Sequence, residues 1–352
     1  MFDDSALDDP AALAAVDPFL RLLAEGGARV RREVDSTDEA FSSLAIDTDW
    51  RPRAMVVAGA DSRLLRAVLE PWCPLPFVAW PGPGLPGWAG ALDSVVVLAP
   101  DGGDDTAISA VQEAVRRGCT LVLACPPHST LAEVSASRST TLLPTASTDS
   151  LAVAVVVLRA LHRLGLGPQV QAEEVASALD DVAVRCSPFE DMTSNPAKEL
   201  ALVLAEATPL VWGGSVLSAR AARRIAEALR RSSGRAALAA DADHLLPVLA
   251  ATSQHDPFAD PFEDSFGGSG GSATARPALV LLDDGHDSAI VREQRGRLLA
   301  AAQAHGVRVQ RLAATSGPPI ARYGALVATG SYAATYLALG LGVTGRLLGE
   351  GT

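Results

Sequence analysis

Lysine is nearly missing from this sequence: Lys198 stands alone beside 28 arginines in 352 residues. That bias, together with abundant alanine, points to a high-GC bacterial genome, so a surface arginine need not signal phosphate recognition. Aromatic residues make up only 5%, and stacking on bases or sugar rings is not expected to dominate binding. The formal net charge of −12 opposes sequence-independent nucleic-acid binding and an anionic membrane surface. Neither nucleic acid nor membrane is therefore an expected partner. The four cysteines, Cys73, Cys119, Cys125 and Cys186, show no C-x-x-C spacing. Three lie in or beside apolar segments and read as small buried side chains in a reducing compartment. The longest apolar run, Leu151 to Leu158, falls far short of the roughly 20 residues that span a bilayer. The acidic start Met1-Phe2-Asp3-Asp4 lacks the basic and apolar regions of a signal peptide. A cytoplasmic location is expected.

Motifs are missing as well. The sequence has no G-x-G-x-x-G fingerprint, P-loop, G-x-S-x-G elbow, H-E-x-x-H helix or cysteine cluster. A nicotinamide or ATP enzyme is not indicated, and no cofactor or metal is expected.

Apolar residues, in contrast, reach 48%, enough for two domains each with its own core. Residues 1–39 read as a mostly helical N-terminal segment, with Leu13, Val16, Leu20 and Leu23 at helical spacing and Asp17-Pro18 as a dividing point. Short unalternating runs follow at 55–58, 77–80, 95–98, 121–124 and 141–143, with helical patterns between them. Such runs imply strands buried on both faces, and the helices imply right-handed crossovers. Residues 40–147 are thus expected to form one doubly wound α/β domain with a mainly parallel sheet flanked by helices. A helical connector at 148–194 and a second domain of the same class at 195–345 complete the chain. The second domain is interrupted by 254–277, rich in Asp, Gly, Ser and Pro, which is expected to be mobile.

Ligands of doubly wound folds bind at the carboxyl ends of strands, so the turns there are the first candidates for chemistry. At 101–106 a glycine pair precedes a helix, a good anion site by itself. Asp101, Asp104 and Asp105 oppose a phosphate there. They fit a cation or polyol site, or more simply cap the helix themselves. His128 reads as a capping-turn histidine. The 283–288 turn mixes carboxylates with His286 but lacks a second ligand set for a metal. The arginine stripe from Arg220 to Arg231 reads as a solvated helix face rather than an anion groove.

The second domain opens Asn195-Pro196-Ala197-Lys198-Glu199-Leu200-Ala201 and continues to Pro209-Leu210-Val211-Trp212-Gly213. This resembles the second sugar-isomerase (SIS) domain of bifunctional phosphoglucose/phosphomannose isomerases. Leu85-Pro86-Gly87-Trp88, the helix ending Glu113 to Gly118 and the tail Tyr332 to Leu339 are similar to that family too, within a divergent, TobH-like branch. The resemblance implies two SIS-type domains, a homodimer, a sugar or sugar-phosphate ligand, and an enediol isomerisation using a glutamate base and a histidine. This chain departs from that pattern. The family's Gly-Gly-Ser turn is Ala60-Asp61-Ser62, and its Ser/Thr phosphate loop is Asp101 to Thr106. Arg230 to Ser233 stand near the implied glutamate, and Arg346 is the basic residue nearest an implied C-terminal lysine. By that resemblance the candidate ligand contacts are Gly59, Ser62, Gly102, Gly103, Thr106, Ser129 and Lys198. His244 and Glu263 are the candidate catalytic residues.

Three functions are open on these residues. The first is a catalytically degenerate member that binds a carbohydrate derivative. The second is an active aldose–ketose isomerase with relocated groups. The third is a scaffold protein that docks a partner through Phe258, Phe262 and Phe266.

Overall fold

The computed structural model describes residues 2–43, 51–252 and 276–347. Asp9 accepts from the Ala11 and Ala12 amides and Pro10 takes the first helical position, which starts α1 (Pro10–Ala14). Next come α2 (Asp17–Ala24) and α3 (Gly26–Ser43). α3 runs a few residues beyond the helical segment expected at 1–39. Its polar composition weakens the periodic signal, while packing against a helix distant in sequence holds it helical.

The alternation then unfolds as expected: β1 (Met55–Ala58), α4 (Ser62–Leu69), β2 (Phe77–Trp80), β3 (Ser94–Leu98), α5 (Asp105–Arg116), β4 (Thr120–Cys125), α6 (Thr130–Val134) and β5 (Thr140–Pro144). These strands form a parallel sheet of order β2-β1-β3-β4-β5, with Val56 opposite both Val78 and Val95. β1 and β3 are buried along their whole length, which is why their sequences show no polar alternation.

α7 (Ser150–Arg163) and α8 (Ala172–Arg185) follow. α7 buries Ala152 through Leu158 without a break, so it is apolar all round and covers the sheet. The connector expected at 148–194 is therefore divided rather than separate. Of the described residues, 25–180 and 317–324 form one compact unit, and 2–24, 181–316 and 325–347 form the other. The N-terminal helical segment is divided likewise, with α1 and α2 in the second group and α3 in the first.

The remaining elements are α9 (Pro196–Leu204), β6 (Thr208–Gly213), α10 (Val216–Ser233), β7 (Leu238–Ala239), α11 (Ala242–Ala250), β8 (Pro277–Asp283), α12 (Ala289–Ala304), β9 (Arg308–Ala313) and α13 (Pro319–Gly340). Their strands make a second parallel sheet, β7-β6-β8-β9. β7 and α11 are not apparent in the sequence. β7 has two residues and lies at an edge, and polar Asp241, Asp243 and His244 mask the buried stripe Ala242, Leu245 and Leu249. Among the described residues no helix is long and apolar enough to cross a membrane.

Candidate functional site

In both sheets the strand order reverses beside the first strand, between β1 and β3 and between β6 and β8. A crevice at the carboxyl ends of such strands is where doubly wound folds place ligands.

At the first reversal β1 ends in Gly59, whose φ of 91° needs the absence of a side chain. β3 leads into Gly102 and Gly103, with φ of 95° and 83°. Backbone conformation rather than crowding sets glycine at 59 and 102, since a Cβ there would make only ordinary contacts, with Ala107 at 3.9 Å and with Ser129 at 3.6 Å. The turns enclose a cavity of about 120 Å3, lined in part by Asp61, Asp101, Asp104 and Ser150.

Each carboxylate there already serves the fold. Asp101 accepts from the Gly103 amide at 3.1 Å, and Asp104 caps α5 by accepting from the Ala107 amide at 2.9 Å. Asp61 accepts from the Ser150 hydroxyl at 2.6 Å. Self-capping of the 101–106 turn is thus what the structure shows. The Asp61–Ser150 pair, across 89 residues of chain, had no local signal in the sequence.

Several candidate contacts have other roles. Ser62 is fully buried and its hydroxyl has no hydrogen-bond partner among the described residues, so it does not open onto the cavity. Ser129 caps α6 by accepting from the Ala132 amide and donates to the Pro126 carbonyl at 2.7 Å. Thr106 is half-buried in the first turn of α5. Gly59, Gly102, Gly103 and Ser129 are brought together; Lys198 and His244 belong to the other unit.

Lys198 is fully buried, and its ammonium donates to Asp8 Oδ1 at 2.6 Å and to the Pro188 and Glu190 carbonyls at 3.0 Å. All three N–H bonds are used, so the expectation of a ligand contact is corrected: Lys198 anchors the N-terminal segment. His244 is exposed on α11. Glu263, with Phe258, Phe262 and Phe266, lies outside the described residues.

At the second reversal β6 ends in Gly213-Gly214-Ser215. A Cβ on Gly213 would collide with the Ser218 backbone, which fixes glycine at that turn. Ser215 and Ser218 form a capping box at α10, each hydroxyl accepting from the other's amide at 3.0 Å. The Ser215 hydroxyl also donates at 2.5 Å to Asp284, a carboxylate only 4% exposed. Beside it, burial tends to raise Asp283, but Arg311, the Gly285 amide and Arg295 outweigh burial and hold its carboxyl below the usual range. Both crevices thus place a carboxylate where an anion-binding turn would offer free amides. Among the described residues no group of His, Cys, Asp and Glu is arranged to hold a metal.

Residues 193–345 match the model of the bacterial phospho-glucose isomerase C-terminal SIS domain. The chain is similar to a glucose-6-phosphate isomerase like protein from Thermus thermophilus, with 18% identity and a TM-score of 0.55 over 97% of this chain and 95% of that one. It is also similar to the C-terminal domain of glucosamine-fructose-6-phosphate aminotransferase from Francisella tularensis, with 11% identity and a TM-score of 0.60 over 91% and 95% of the two chains. At these identities the likeness speaks for the fold alone. No curated protein matches the chain.

Proposed function

From the match of residues 193–345 to a phospho-glucose isomerase SIS domain, we propose that the chain is an SIS-type isomerase-like protein that binds a carbohydrate derivative at the first crevice and has lost isomerase turnover. The observation that carries this reading is the trio Asp61, Asp101 and Asp104 around the cavity between β1 and β3.

A like charge about 4 Å away costs roughly 4 kcal/mol per pair at an effective dielectric near 20. A phosphate, with a charge of about −2, is therefore repelled by this turn, while sugar hydroxyls can donate to its carboxylates. Proton abstraction from carbon needs a base within hydrogen-bond reach. Asp101 and Asp104 already accept from amides of their own turn and Asp61 from the Ser150 hydroxyl, and no histidine lines the cavity among the described residues. At about 120 Å3 the cavity is smaller than the roughly 300 Å3 at which small-molecule sites begin. A second copy of the chain is the proposed source of the missing wall, which makes the working form a homodimer.

The test is a coupled assay of fructose 6-phosphate formation from glucose 6-phosphate and mannose 6-phosphate with highly purified protein. No turnover is expected, with thermal stabilisation by neutral hexoses exceeding that by their phosphates. Turnover near 1 s⁻¹, about the low end for ordinary enzymes, would sink the degenerate reading and demand a relocated base. Asp104→Ser with Asp105→Thr retains a cap while removing two charges. Calorimetry should then detect strengthened phosphosugar binding, and an unchanged titration would place the ligand elsewhere.

A further inference from the structure

One cavity of the unit that carries β6–β9 lies away from its strand-end crevice. It is a groove of about 550 Å3 between α2, α10, α13 and the turn that follows α13. That volume falls within the range of roughly 300–1,000 Å3 typical of small-molecule sites. Phe19, Leu23, Val327 and Ala334 give it apolar walls.

Three arginines line the same groove, Arg224, Arg231 and Arg346. A single carboxylate, Glu227, faces them, so the lining carries two net positive charges in a chain whose formal charge is −12. Glu227 bridges two of the arginines, receiving Arg224 at 2.9 Å and Arg231 at 3.3 Å through different oxygens. Each guanidinium has five donors, so the bridge orients both without exhausting either. Arg346 has no carboxylate partner among the described residues, and its guanidinium is seated against Gly234 at the end of α10. Part of the stripe expected to be a solvated face therefore lines a groove that α10 shares with α2 and α13.

We propose that this groove binds a small amphipathic anion: an apolar body bearing a phosphate or carboxylate. The apolar walls exclude a free inorganic anion as the preferred occupant, since it would gain nothing from them. The arginines exclude a neutral apolar molecule, which would leave their charges partly desolvated and unanswered. Arginine suits this role because its planar fork pairs bidentately with phosphate or carboxylate.

Calorimetric titration of the full chain with octyl phosphate, below its micelle threshold, tests the assignment. One saturable site is expected, with octyl glucoside and inorganic phosphate each at least tenfold weaker. Arg231→Glu and Arg346→Glu should each weaken octyl phosphate at least tenfold. Both side chains are exposed, and the thermal unfolding midpoint serves as the check on folding. Filling the groove with Ala228→Phe should abolish binding of the alkyl phosphate. Equal affinity for the glucoside, or indifference to both charge reversals, would overturn the assignment. So would an absence of binding accompanied by a dimer, in light scattering, that Arg231→Glu dissociates, because the groove would then be a surface between copies.

Discussion

Lys198 shows how one residue changes meaning once its surroundings are known. Its place in a family-like motif suggested a ligand contact, yet its ammonium is enclosed and bonded to Asp8, Pro188 and Glu190. Replacing it with methionine keeps the stem but leaves two carbonyls and a carboxylate without their donor. Lys198→Met should lower stability by about 3 kcal/mol, within the range for lost hydrogen bonds to a charged group, read as a shift in the urea midpoint. An unchanged midpoint would mean that water replaces the ammonium without loss. The cysteines are a second case. Cys119, Cys125 and Cys186 are buried and Cys73 is half-buried. Burial raises all four thiols, Cys186 up to about 11. A disulfide reagent at pH 8 should label Cys73 alone in the folded chain and all four after unfolding. Prompt labelling of a second thiol would contradict the packing.

Among the elements, those with dense apolar runs were legible because each run is a complete statement of two-sided burial. β1, β3 and β4 lie where the sequence puts them. β7 and α11 were not, because their signals are short or interrupted by charge. The 101–104 turn was legible in its chemistry: two glycines at positive φ and an aspartate cap form an element that residue types alone suggest. Gly103 tests that turn. A Cβ there would lie 3.1 Å from Leu131 and 3.3 Å from Ala107, on a backbone that disfavours L residues. Gly103→Ala should cost about 1–2 kcal/mol from the left-handed conformation, with more from crowding. The thermal midpoint should fall, and a neutral outcome would mean that the turn is free to re-form.

For the whole molecule, pH links burial to stability. The Cys186 thiol stays protonated in the folded chain, held up first by burial against a smaller opposing effect of Arg185. Its ordinary value is 9.0 and its folded value about 11. Above pH 9 the unfolded chain releases this proton and the folded chain does not, so stability falls as pH rises between those values. The loss should be on the order of 2 kcal/mol, seen as a falling urea midpoint that Cys186→Ala flattens. If the variant falls as steeply as the parent, another group governs the alkaline limb.

The sequence by itself determined the class of fold and much of the chemistry at its edge. Unalternating strands require two covered faces, helices between them require parallel pairing, and the aspartates at 101–104 were bound to seek the nearest amides. Tertiary structure decided the rest. Strand order created the crevice between β1 and β3, and long-range packing paired Asp61 with Ser150, enclosed Lys198 and split the helical connector. It also turned Arg224 and Arg231 from a surface stripe into the lining of a groove. These features depend on residues scores of positions apart meeting in space, and local periodicity carries no record of which distant partner a side chain will find.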